Sequence, residues 1–220
     1  MMAGLFLSFL LPSYRPLPRT GLTGNGAAWT GIRRLLGRRD LLAPYATVFA
    51  QYFSLGGVVT LLPLYIKNQG MGAFQTGMAM AAFSVMFIVT QVPVGKKGTR
   101  IGRMSLAVPG IILGIAALLC LPAVSSFSLI ALCLGVYGIA HGLMFPSIST
   151  MVAEGTSLEE RGMGTGIFHA LLTGGVAVGA PVMGWFGGMV GLDWGLAASA
   201  TMLAVALVMV LATTGVQRQR

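Results

Sequence analysis

The chain has 220 residues, of which 55% are hydrophobic and only 9% charged, with a mean hydropathy of +0.84. A soluble domain carries roughly 25% charged residues, so this composition excludes a water-soluble globular protein. The 32 Gly and 10 Pro exclude a coiled coil and suit closely packed membrane helices. The net charge of +9 raises nucleic-acid binding as an alternative, which the position of the charges must decide.

In chain order, residues 1–12 form an apolar stub too short to cross a bilayer. No basic residue precedes it and no small-residue cleavage site follows, so it is not read as a signal peptide. Residues 13–40 carry Arg15, Arg19, Arg33, Arg34, Arg38 and Arg39 among Gly and Pro, and are expected to be a flexible basic linker. A bilayer core of about 30 Å needs about 20 apolar residues in a helix. Six runs within residues 41–216 reach that length: Leu41–Ile66, Phe74–Val94, Ser105–Val124, Phe127–Val152, Met163–Val190 and Trp194–Val216. None alternates with period two, which sets a β-barrel aside. The first and fifth exceed a perpendicular span, so tilt or bending is expected. Residues 217–220 form a short tail.

Numbering the sides of the membrane alternately puts thirteen of the 14 Lys and Arg on one side and Lys67 alone on the other. That is a strong positive-inside pattern, and it predicts a multi-pass cell-membrane protein with both termini cytoplasmic. It also explains the basic balance by topology and anionic lipid headgroups, without a nucleic-acid partner. Cys120 and Cys133 lie in apolar runs without metal-ligand spacing and read as small core residues. No metal or other cofactor is expected.

The loop after the second span reads GKKGTRIGR, Gly95 to Arg103. On physical grounds it is a positive-inside anchor with a tight turn, in which Arg100 and Arg103 can bond helix C-terminal carbonyls. Its pattern, G-x-x-x-x-R-x-G-R with Gly95, Arg100, Gly102 and Arg103, resembles the signature loop of the major facilitator superfamily. Thr99 stands where that family usually has Asp, which weakens the likeness to the family's charge network. Gly142, Pro146, Glu160, Arg161 and Gly162 also follow the family's order of a G-x-x-x-x-P helix and an acidic-then-Arg-Gly loop. Read by itself, the acidic cluster there is a solvated loop capping the next helix. The stretch GGVAVGAPVMGWFGG resembles the Gly- and Pro-rich fifth helix, with Gly175, Gly179, Pro181 and Gly184 expected to pack and bend it. Ala180 occupies the place where antiporters of the family have Gly, so antiport is not inferred.

The resemblance implies an all-α membrane fold of six transmembrane helices, arranged as two inverted three-helix repeats, one half of such a transporter. The stub, the linker and the missing Asp favour the C-terminal half. The implied function is movement of a small organic solute by alternating access, in the lipid bilayer, with a second six-helix half or a self-associated copy completing the transporter. It is not expected to be an enzyme.

No Asp, Glu, Lys or Arg lies well inside a span, so the usual marker of ion coupling is missing. His141 and His169 are the titratable alternatives; each is also readable as a neutral histidine bonded to a helix carbonyl or hydroxyl. By the family likeness, Gln51, Tyr52, Tyr137 and His141 line the cavity, and Tyr137 and His141 share one helix face. Interhelical glue at about 0.6 kcal/mol per bond is the competing account. A Ser–His intramembrane protease is disfavoured because no G-x-S-G sequence occurs, and a non-transporting subunit or relic remains a third account.

Overall fold

The computed structural model describes residues 25–97 and 103–217, with side chains described from Trp29 to Gly95 and from Ser105 to Ala212. The stub at residues 1–12 lies outside them, as do Thr99, Arg100 and Gly102 of the signature loop. The helices are α1 (Asn25–Leu36), α2 (Arg39–Asn68), α3 (Ala73–Lys97), α4 (Arg103–Cys120), α5 (Phe127–Glu154), α6 (Arg161–Val190), α7 (Leu192–Ala198) and α8 (Thr201–Gln217). Among the described residues there is no strand. A bilayer offers the backbone no water, so each spanning segment must satisfy its own N–H and C=O groups, and helices do so.

Six spans result: α2, α3, α4, α5, α6 and the α7–α8 pair. Pro44, Pro63, Pro93, Pro109, Pro146 and Pro181 all lie inside helices that continue through them. Hydroxyls bond back to carbonyls around several of these points, Thr150 Oγ1 to Pro146 O at 2.6 Å and Thr47 Oγ1 to Ala43 O at 2.7 Å. Two turns use glycine in the left-handed region. Gly70 (φ 77°) closes the turn between the first two spans, and Gly191 (φ 97°) joins α6 directly to α7.

Two expectations need correction. Residues 25–36 of the expected flexible linker form α1, whose Leu35 is buried in the bundle core; Arg39 and Asp40 belong to the first span. The sixth span is not one helix but breaks at Ser199–Ala200. There Ser199 Oγ bonds Gly195 O and Thr201 Oγ1 bonds Ala198 O, the side-chain competition that loosens a helix. The third span closes with a 3-10 turn, Leu121–Ala123, opened by Pro122. Tyr65 clamps that turn by donating its hydroxyl to Val124 O at 2.6 Å, near Leu121 O at 3.3 Å.

The main helix contacts pair span one with spans five, six and four, span two with span four, and span three with spans four and six. Exchanging one with four, two with five and three with six returns the same set of pairs, apart from the contact of span five with the α7 part of span six, which has no comparable counterpart between spans two and three. A repeat of three spans must start on opposite sides of the membrane, so the two halves of the bundle are inverted copies in packing. Spans one and four are central, 61% and 50% of their apolar stretches being buried, against 11% for span two.

Close approach is made at small residues. A Cβ at Gly138 would overlap the Phe83 carbonyl, and one at Gly142 would lie 2.8 Å from Phe87 O. On the symmetry-related contact, a Cβ at Gly175 would lie 2.7 Å from Phe49 O, and one at Gly179 would overlap Phe53 O. A Cβ at Gly184 would meet only the Thr60 methyl, at 3.2 Å. Lipid tails are as apolar as the core, so this fit, rather than hydrophobic drive, holds the helices together.

Candidate functional site

The polar side chains of the two central spans meet at their contact. From α2, Gln51 and Ser54 point inward and are fully buried; from α5, Tyr137 and His141 do the same. Positions 137 and 141 are one helical turn apart, as are Phe83 and Phe87 on α3. The Ser54 and Tyr137 hydroxyls are 2.7 Å apart, and Ser54 Oγ also donates to Gln51 O at 3.0 Å. Since Ser54 gives its proton to that carbonyl, Tyr137 is the donor between the two hydroxyls.

His141 stands in an aromatic box. Tyr137 lies 4.5 Å away between ring centroids, Phe83 5.2 Å, Tyr52 6.1 Å and Phe87 6.3 Å, all edge-on at 69–90°. Its Nδ1 is 3.3 Å from Tyr137 O. A carbonyl only accepts, so this bond puts the proton on Nδ1 and leaves Nε2 as an acceptor. His141 Nε2 and both amide atoms of Gln51 are buried and have no hydrogen-bond partner among the described residues. The cluster therefore offers one acceptor on histidine and a donor and an acceptor on glutamine. It contains no carboxylate, and among the described residues no three His, Cys, Asp or Glu side chains group to hold a metal.

The structure brings four of the five sequence candidates together. Tyr52 is half-buried, its ring edge-on to His141 and to Phe145. Gln51, Tyr137 and His141 lie inside the six-helix unit, between spans one, two and four. His169 is apart from them: it is exposed on α6, with its ring against Phe168 at 5.4 Å. Phe83 and Phe87 were not among the candidates. Their spacing of four on an otherwise ordinary apolar helix was the available signal, and it does not by itself say which way the pair faces.

A second polar group sits at the end of the bundle that carries α1. Glu160, in the loop before α6, pairs with Arg34 of α1, and lies 3.6 Å from Arg38, which also binds Asp40 at 2.7 Å. Of the signature-loop residues, Gly95 is exposed and Arg103 begins α4.

The sequence matches the family model of the Major Facilitator Superfamily over residues 1–124 and 44–219. The Quinolone resistance protein NorA of Staphylococcus aureus (strain MRSA252) is 22% identical over 147 residues, 67% of this chain and 38% of that protein. Multidrug resistance protein 2 of Bacillus subtilis (strain 168) is 21% identical over 143 residues, 65% of this chain and 36% of that protein. The chain thus spans less than two fifths of the length of these relatives.

Proposed function

Because the chain belongs to the Major Facilitator Superfamily, we propose that it is one six-helix unit of a secondary transporter that moves a small amphipathic organic solute by alternating access. The observation that carries this reading is the Gln51–His141 pair, three polar atoms without partners in an apolar interior at the contact of the central spans. Leaving such atoms unpaired costs about 1–3 kcal/mol each, which the polar groups of a solute recover. The aromatic walls of Tyr52, Phe83 and Phe87 suit a flat, apolar body. All five carboxylates lie at helix ends or in loops, which favours an uncharged or zwitterionic solute over a simple cation. The names of the relatives, one for quinolone and one for multidrug resistance, agree with a small organic cargo.

A midplane site needs walls from two six-helix units rocking about it. The short share of the relatives that this chain spans supports a second unit, from further chain or from a second copy, and Thr99 in place of the family's Asp favours the C-terminal place for this one. The positive-inside charge pattern supports the cell membrane with both termini cytoplasmic. The family and the lack of a nucleophile motif support a role without catalysis.

The test is flux of a fluorescent aromatic zwitterion in proteoliposomes, measured with this chain alone and with the longest reading frame that contains it. Flux that requires the second unit, and falls at least tenfold in Gln51→Ala and His141→Ala with folding yield unchanged, is the expected result. Robust flux from a proven monomer overturns the paired-unit reading. Variants that alter only folding yield assign the cluster to interhelical glue and favour a non-transporting subunit.

A further inference from the structure

We propose that α1 is an interfacial helix whose uncovered side, Trp29, Arg33 and Leu36, docks on an anionic phospholipid surface. The proposal needs only that the following helix spans a bilayer, and stands whether or not the chain transports anything.

At about 100° per residue, the positions of α1 can be placed around Leu35, which is 1% exposed and buried in the bundle core. Ile32, half-buried, lies about 60° round, Leu36 about 100°, Trp29 about 120° and Arg33 about 160°. Arg34 lies on the opposite flank and is held by Glu160. The apolar arc is therefore wider than the part the protein covers. Ile32 and Leu35 pack on the bundle, while Trp29 is 67% and Leu36 40% exposed. Arg33, exposed, borders the uncovered apolar sector. That order of apolar face, tryptophan and flanking cation is how a helix lies in the headgroup layer.

The position of α1 selects lipid as the occupant. Only Gly37 and Arg38 separate α1 from the first span, so α1 cannot leave the level at which that span enters the membrane. The Leu35 anchor and the Arg34–Glu160 pair fix its rotation against the bundle. Arg33 and Arg39, both exposed, stand where phosphate groups begin, and a cationic patch gains most from anionic headgroups.

The experiment uses the full chain with Trp185→Phe and Trp194→Phe, two exposed positions, so that Trp29 is the single indole. It is reconstituted in vesicles of phosphatidylcholine with or without phosphatidylglycerol, carrying bromine either near the headgroups or deep in the chains. The expected result is blue-shifted emission, quenched severalfold more by shallow than by deep bromine and more strongly with phosphatidylglycerol. Arg33→Glu is expected to abolish the gain from phosphatidylglycerol. On the unsubstituted chain in nanodiscs, amide exchange of residues 30–36 is expected to slow at least threefold when phosphatidylglycerol is added. Red emission quenched by iodide overturns the proposal by showing α1 in water. Blue emission insensitive to both bromine depths and to iodide overturns it by showing a protein partner on this face.

Discussion

Replacing Gly179 by Ala tests whether helix fit holds this bundle together. A Cβ there would overlap the Phe53 carbonyl oxygen and lie 2.8 Å from the carbonyl carbon and Cα of the same residue, all backbone atoms that cannot rotate away. Ordinary contact begins at 3.4 Å, so those two atoms fall short by about 0.6 Å, and the closer oxygen requires α2 and α6 to part by more than that. A gap of ~0.5–1 Å forfeits a quarter to a half of each van der Waals contact along the seam, and overpacking of this kind costs about 1–3 kcal/mol. The gain in helix propensity from Gly to Ala, at most about 1 kcal/mol, offsets part of it. The net expectation is a loss of about 1–2 kcal/mol. Gly174→Ala is the internal control: it lies on the same helix, and nothing stands within 4 Å of its Cβ position. It is expected to be neutral or slightly stabilising. Both are measured by thermal unfolding in nanodiscs, followed by circular dichroism. Equal stabilities of the two variants would refute the claim that the seam between spans one and five is limited by backbone contact.

Tyr137→Phe removes the hydroxyl that donates to Ser54 while Ser54 keeps its bond to Gln51 O. A double-mutant cycle with Ser54→Ala should return a coupling of about 0.6 kcal/mol, at most about 1.7, from unfolding titrations. Tyr65→Phe uncaps the carbonyls of the Leu121–Val124 turn; a loss of about 1 kcal/mol is expected, with faster amide exchange confined to that turn and its neighbours. Glu160→Gln breaks the pairs with Arg34 and Arg38. Because these groups are partly exposed, global stability should change by less than about 1 kcal/mol, while amide exchange in α1 rises; a large drop in melting temperature would contradict this.

Much of the architecture was legible in the chain, and the reasons differ by feature. The six spans were readable because each needs about 20 uninterrupted apolar residues, and the observed helices contain all the expected runs except for the break in the last and the 3-10 turn ending the third. Helix α1 was missed because its Arg and Gly content suggested a linker, and only a narrow side of it, with Gly31, Ile32, Arg34 and Leu35, meets the bundle. The break at Ser199–Ala200 carried no proline to announce it. Among the site candidates, Tyr137 and His141 were grouped by their spacing of four, but apart from the family likeness nothing in the sequence separated His141, enclosed by aromatic rings, from His169, exposed on α6.

The sequence by itself determined that the chain is a bundle of membrane-crossing helices, how many there are and where the charges fall. Those features follow from backbone hydrogen bonding in lipid and from the high cost of charge there, both written in composition and run length. Only the tertiary structure decided which helices pair, which glycines meet backbone and which polar groups face one another. In water, burial sorts apolar from polar and marks the inner face of a helix. In lipid that contrast disappears: Val85 and Ile88 are exposed and Leu134 is buried, all equally apolar. The inner face is set by the match of small residues to the opposing backbone, as at Gly138 and Gly179, and that match exists only once the helices have come together.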